Sequence, residues 1–171
     1  PEGIAVCRDY HIQMPMQSAF IGWKQEPDEY LARILGHDRL EKLNPIKTFR
    51  DNGIIVSFGS DAPCTTPDPI AWMDKAVNNG NAGQAVSVQD ALRMCTYNGA
   101  WAAFDERERG SLEAGKIADM AVLSENPYTV PKDKIKDIRV ERLYLGGKPY
   151  ESCRESILPM MLRGLTSRNK A

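Results

Sequence analysis

Histidine is scarce in this chain, with two, His11 and His37, in 171 residues. Neither belongs to an HxH or HExxH pair, so spacing alone gives no histidine-based metal site. Each reads as a structural or solvent-facing residue. The four cysteines, Cys7, Cys64, Cys95 and Cys153, lie far apart and form no CxxC pair. That argues against a disulfide scaffold or a zinc knuckle and makes a reducing cytoplasm the expected compartment. Charge of one sign is lacking too: the formal net charge is −1, with no long run of like residues. Bulk electrostatics therefore does not provide a nucleic-acid partner. No apolar run is long enough to cross a bilayer and no signal peptide is visible, so no membrane partner is expected. A glycine-rich phosphate loop and a GxSxG nucleophile elbow are both missing. The chain begins with Pro1, not Met, and is read as processed, truncated or cut from a longer product.

What is present is an ordered alternation of elements. Apolar residues make up 42% of the chain, enough for a sizeable core in one ordinary domain, with or without an appendage. The first residues (4–10) read as the end of a helix, followed by a short strand, "HIQMPMQ" (11–17). "PDEYLARIL" (27–35) has helical apolar spacing and is stopped by Gly36. "NPIKTFRDNG" (44–53) predicts a helix with Asn44 as N-cap, Pro45 in the first turn and Gly53 just past the end. Ile54 to Phe58 is a nearly continuous apolar run, which suits a parallel strand covered on both faces. "TPDPIAWMDKAVNNG" (66–80) predicts a helix capped by Asp68, with Pro69 at its first turn and Asn79-Gly80 as its stop. "SVQDALRMCTYNGAWAAF" (87–104) begins on a capping-box variant, Ser87 with Asp90, and is expected to break at Asn98-Gly99.

Near residue 106 the texture changes. "ERERGSLEAGK" is polar and turn-rich. "IADMAVLS" (117–124) reads as a strand, and "VERLYLGGKPYE" (140–151) as a hairpin around Gly146-Gly147. Between them, 125–137 is a loop with room for one helical turn. Residues 152–171 read as a short docked helix and tail. The order of the first part is βα grammar, and a small β part follows it.

One residue stands out in this pattern. Asp61 sits where the buried strand runs out, in "IIVSFGSDAP" (54–63). A charge there is costly unless something uses it. In parallel α/β architectures ligands bind at the carboxyl ends of the strands. A carboxylate at such an end can bind a divalent cation or take a proton from an activated water. Gly59 and Ser60 allow close backbone approach, and Pro63 stiffens the exit. The simpler reading, which the tripeptide alone favours, is that Asp61 caps the following turn. Cys64, three residues on, is a candidate pocket-lining residue, though a plain small-residue role is the simpler one. Phe20 and Trp23, after the first strand, are candidates to line an apolar substrate pocket, though aromatics are more often core.

Taken together, "GSDAP" (59–63), "PDPIAWMDKAV" (67–77), "ALRMCTYNGAWAAF" (91–104), "GSLEAGKIADMAVL" (110–123) and "LYLGGKPY" (143–150) resemble the C-terminal part of an amidohydrolase-superfamily enzyme. The order and spacing are similar to the branch that includes N-substituted formamide deformylase. The likeness covers most of the chain, to about residue 151, and "GSLEAGKIADMAVL" is its most specific piece.

The resemblance implies a metal-dependent (β/α)₈ barrel with a small composite β-sandwich. Residues 1–105 would be the last βα units, with "HIQMPMQ" as strand seven and "IIVSFGSD" as strand eight. Residues 106–151 would be sandwich strands. Asp61 would match the strand-eight aspartate, which touches the metal and shuttles a proton from the hydrolytic water to the leaving amine.

A whole barrel needs roughly 250 residues, and the family's histidine ligands on earlier strands have no counterpart here. The expected activity is hydrolysis of a non-peptide C–N bond in a small N-acyl or formamide-like substrate. The implied cofactor is a divalent metal, zinc first, in the complete protein. This stretch alone need hold none and should have little or no activity. Its open strand edges imply self-association or pairing with a missing N-terminal segment. The alternative is a non-catalytic α/β scaffold or oligomerisation module.

Overall fold

The computed structural model describes residues 2–150, so the expected helix and tail over 152–171 lie outside the described residues. Seven α-helices and five strands fill this span. They are α1 (Glu2–Asp9), β1 (Met14–Met16), α2 (Asp28–Leu35), α3 (His37–Leu40), α4 (Ile46–Asp51), β2 (Val56–Phe58), α5 (Pro69–Val77), α6 (Val88–Cys95), α7 (Tyr97–Ala102), β3 (Met120–Leu123), β4 (Val140–Leu145) and β5 (Lys148–Pro149).

The first two strands pair in parallel, Met14 against Val56 and Met16 against Phe58. The crossover between them carries α2, α3 and α4. The remaining strands form an antiparallel sheet in the order β3-β4-β5. The described residues are thus mixed α/β and contain no closed barrel.

Local signals explain most element ends. Pro69 opens α5, and the Asp68 carboxylate accepts from the amides of Ile70 and Ala71, at 3.0 and 3.3 Å. This pairs the free donors of a first turn with a side-chain oxygen. Ser87 caps α6 by accepting from the Asp90 amide at 3.0 Å. Gly36 (φ 79°) ends α2 and Gly53 (φ 76°) follows α4, both in conformations that a side chain disfavours. Gly146 and Gly147, also at positive φ, turn the chain between β4 and β5.

Four expectations need correction. Asn44 is not the N-cap of α4: it sits at φ 49°, and Pro45 occupies the cap position with no side-chain hydrogen bond. The break in the 87–104 helix falls at Thr96 (φ −124°, ψ −91°), not at Asn98-Gly99. There the Thr96 hydroxyl donates back to the Leu92 carbonyl at 2.8 Å, a bond that competes with helix continuation. The first strand is shorter than 11–17, because its N-terminal residues run in a turn after α1, with His11 at φ 53°. Helix α5 stops at Val77, with Asn78 as its C-cap, before Asn79-Gly80.

The core lies between the parallel strands and the helices behind them. Val56 of β2, Ile46 of α4, Met73, Ala76 and Val77 of α5, and Ala91 and Met94 of α6 are buried in one cluster. Ile46 and Ala76 are fully enclosed. Burying a side chain of the size of isoleucine or methionine stabilises by about 1.5–3 kcal/mol. Ile135, on the 3₁₀ segment Lys132–Asp137, joins the same cluster. Beside it, the Asn78 amide donates to the Lys132 carbonyl at 2.8 Å. This segment ties the antiparallel sheet to the helical layer.

Candidate functional site

The candidate site lies at the C-terminal end of β2. The strand is held on one side by β1: the Met14 amide donates to the Ile55 carbonyl at 2.9 Å, and the Gly59 amide to the Met16 carbonyl at 3.0 Å. Its other side is held by a side chain. Asn98 Nδ2 of α7 donates to the Val56 carbonyl at 2.6 Å. Beyond Phe58 the chain turns. Ser60 Oγ accepts from the Ala62 amide at 3.1 Å, and the Thr65 hydroxyl donates to the Ser60 carbonyl. The Cys64 amide closes the turn on the Asp61 carbonyl at 2.9 Å.

Asp61 stands in this turn with left-handed backbone, φ 53°. Its side chain is exposed and, among the described residues, makes neither a hydrogen bond nor an ion pair. The turn is capped by the hydroxyl of Ser60 instead. Nothing among the described residues engages the carboxylate, and its backbone conformation is one that non-glycine residues rarely adopt outside special positions.

The other sequence candidates are placed differently. Cys64 is exposed and stays next to Asp61 through the turn. Phe20 lies on the wall of a cleft of about 750 Å³, with Leu31, Lys75, Asn78 and Asn79. Trp23 packs edge-on against Phe20, with ring centroids 4.9 Å apart, and is not on that wall. Asp61 is not on that wall either, so the structure does not bring Phe20 and Asp61 into one cavity. His11 and His37 are both exposed.

No group of three or more His, Cys, Asp or Glu side chains suited to a metal occurs among the described residues. A catalytic zinc with an open water position needs three protein ligands. The described residues alone therefore do not fit a catalytic metal centre, and Asp61 could contribute at most one ligand.

Two residues with structural work here carry no advance signal. Asn98 reads in sequence as a helix breaker. Ser18, almost fully buried, donates its hydroxyl to the Trp72 carbonyl at 3.0 Å and ties the exit of β1 to α5. Both contacts span more than forty residues, so no local pattern announces them.

Comparison with known proteins decides the family. A model described as "Amidohydrolase family" matches residues 8–150. The chain belongs to the amidohydrolase family. An N-substituted formamide deformylase from Arthrobacter pascens is 36% identical over 132 residues, covering 73% of this chain and 22% of that protein. A 5-methylthioadenosine/S-adenosylhomocysteine deaminase from Caldanaerobacter subterraneus is 32% identical over 100 residues, covering 53% of this chain and 23% of the deaminase. Among solved structures, a zinc-bound adenosine deaminase from Xanthomonas campestris superposes with a TM-score of 0.67 at 18% identity. It covers 99% of this chain and 39% of the deaminase. That likeness shows the fold. This amidohydrolase chain spans less than a quarter of the length of the two curated relatives named.

Proposed function

We propose that the chain is the C-terminal part of a metal-dependent amidohydrolase that hydrolyses a non-peptide C–N bond of an N-acyl or formamide-like small molecule. The observation that carries this reading is the exposed carboxylate of Asp61, without a partner among the described residues and held in a left-handed turn at the carboxyl end of a buried parallel strand. On this reading β1 and β2 are neighbouring strands of a barrel wall, and β3, β4 and β5 belong to a small β layer beside it. The relatives named a deformylase and a deaminase support carbon–nitrogen chemistry.

Asp61 accepts a proton from the attacking water and returns it to the departing nitrogen, and a short side chain on a rigid strand end suits that transfer. A divalent metal, zinc first, would activate the water in the complete protein. Ligands for it would have to come mostly from outside the described residues, and no step is derived through it. Phe20, Trp23 and Cys64 are proposed as substrate-side residues, with Cys64 nearest the reacting end.

A second reading has its own observation. Asp61 does not line the cleft of about 750 Å³, and a non-catalytic scaffold would need nothing more of it. The assay that separates the two uses the longest natural gene product with an N-substituted formamide as substrate, wild type beside Asp61→Asn. A proton-transfer role predicts a loss in kcat of about a hundredfold or more, with KM little changed. Full kcat in the variant would discard the role of Asp61. A metal-free, inactive wild type would favour the scaffold.

A further inference from the structure

We infer that Asn98 is a positioning residue for Asp61, gripping the carboxylate's strand on the side that β1 does not reach. The inference rests on the catalytic reading of Asp61.

The geometry begins with strand parity. In a parallel pair, backbone groups of alternate residues point to opposite edges. The Ile55 carbonyl and the Gly59 amide are both used by β1. The groups of Val56 therefore face the opposite edge, where the described residues contain no strand. A buried carbonyl there needs a donor. Val56 is 1% exposed, and its carbonyl takes that donor from Asn98 Nδ2 at 2.6 Å. Asn98 thus holds β2 from that edge at Val56.

Asn98 can act as a grip only if α7 is itself fixed, and α7 is clamped from two sides. Gly110 presses so closely on the helix that an added Cβ would lie 2.6 Å from Ala100 Cβ and 2.9 Å from Tyr97 Cα. Arg93 stacks over the Tyr97 ring at 4.2 Å, and Lys116 approaches the same ring at 5.4 Å. Lys116 is in turn anchored to the Glu106 carbonyl at 2.7 Å and to Ser111 Oγ at 2.6 Å. The segment from Glu106 to Lys116 therefore holds α7, α7 holds Asn98, and Asn98 holds the strand that ends in Asp61. None of these groups touches the reacting atoms.

The test compares Asn98→Leu, which keeps the side chain's size and removes the donor, with wild type and Asp61→Asn in the longest natural gene product. Two readouts are taken: kcat and KM per folded molecule, and amide hydrogen exchange. Displacement of the strand end that carries Asp61 predicts about tenfold lower kcat with KM within about twofold. Exchange should quicken at Gly59, which reports the β1–β2 pairing, and stay slow at Ala91 inside α6. Should Asn98→Leu fail to fold, Asn98→Asp carries the same two readouts. An unchanged kcat beside a crippled Asp61→Asn would overturn the positioning role and leave the catalytic reading intact. Equal quickening at Gly59 and Ala91 would mark Asn98 as a general stabiliser and overturn the inference. Full kcat in Asp61→Asn would bring down the catalytic reading, and this inference with it.

Discussion

Single side chains in this molecule differ most in what their surroundings leave free. Asp61 and Cys95 are opposite cases. The carboxylate of Asp61 is exposed and unspent by its own turn. The Cys95 thiol packs against the core and donates to the Pro69 carbonyl at 3.7 Å. Burial pushes the Cys95 thiol up to about 12 from an ordinary 9.0, because the thiolate would be poorly solvated there. The folded state thus holds a proton that the unfolded state gives up. The stability this contributes is present below pH 9.0 and is lost as pH rises toward about 12. Reactivity follows the same cause. At pH 8, iodoacetamide should label exposed Cys64 at least about tenfold faster than Cys95, since only the thiolate attacks. Peptide mapping by mass spectrometry gives the two rates, and equal rates would contradict the burial of Cys95.

At the scale of elements, the most demanding contact is the one between the 106–116 segment and α7. Gly110 has φ +86°, and a Cβ there would meet Ala100 and Tyr97 well inside contact distance. Gly110→Ala should therefore lower stability by about 2 kcal/mol or more, combining backbone strain with overpacking. A urea titration of both proteins measures this, and a loss below about 0.5 kcal/mol, the ordinary range for a surface substitution, would mean the segment simply moves aside.

The same scale shows what could be read in advance. Asp68 with Pro69, Ser87 with Asp90, Gly36, Gly53 and the Gly146-Gly147 turn are all legible, because each acts on backbone within a few residues of itself. Helix α3, four residues long, has no room for periodicity and goes unread. Asn44 has the chemistry of a cap, yet its carbonyl already accepts from the Ile46 amide at 2.7 Å in a tight turn, which leaves Pro45 at the cap position. The end of β2 and its Asp61 could be located from the apolar run and its break. Asn98, Ser18 and Gly110 could not, since each is defined by a partner from another element.

For the whole molecule, the apolar surface is the telling feature. Tyr30 and Ile34 on α2, Val122, Val140 and Leu145 on the antiparallel sheet, and Phe104 (88% exposed) and Leu112 (78%) after α7 all face outward. Two parallel strands offer each other one paired edge, and the described residues place only side-chain and helix contacts on the far edge of β2. The chain spans 22% of its formamide deformylase relative, and on the proposed reading these side chains of the described residues are candidates to meet other polypeptide.

The most direct measurement is a crystal structure of the longest natural gene product with anomalous scattering recorded at the zinc edge. The account predicts a metal peak in a concave site, with an oxygen of Asp61 about 2.0–2.2 Å away. A metal bound elsewhere, with Asp61 facing bulk solvent on a convex surface, would contradict it.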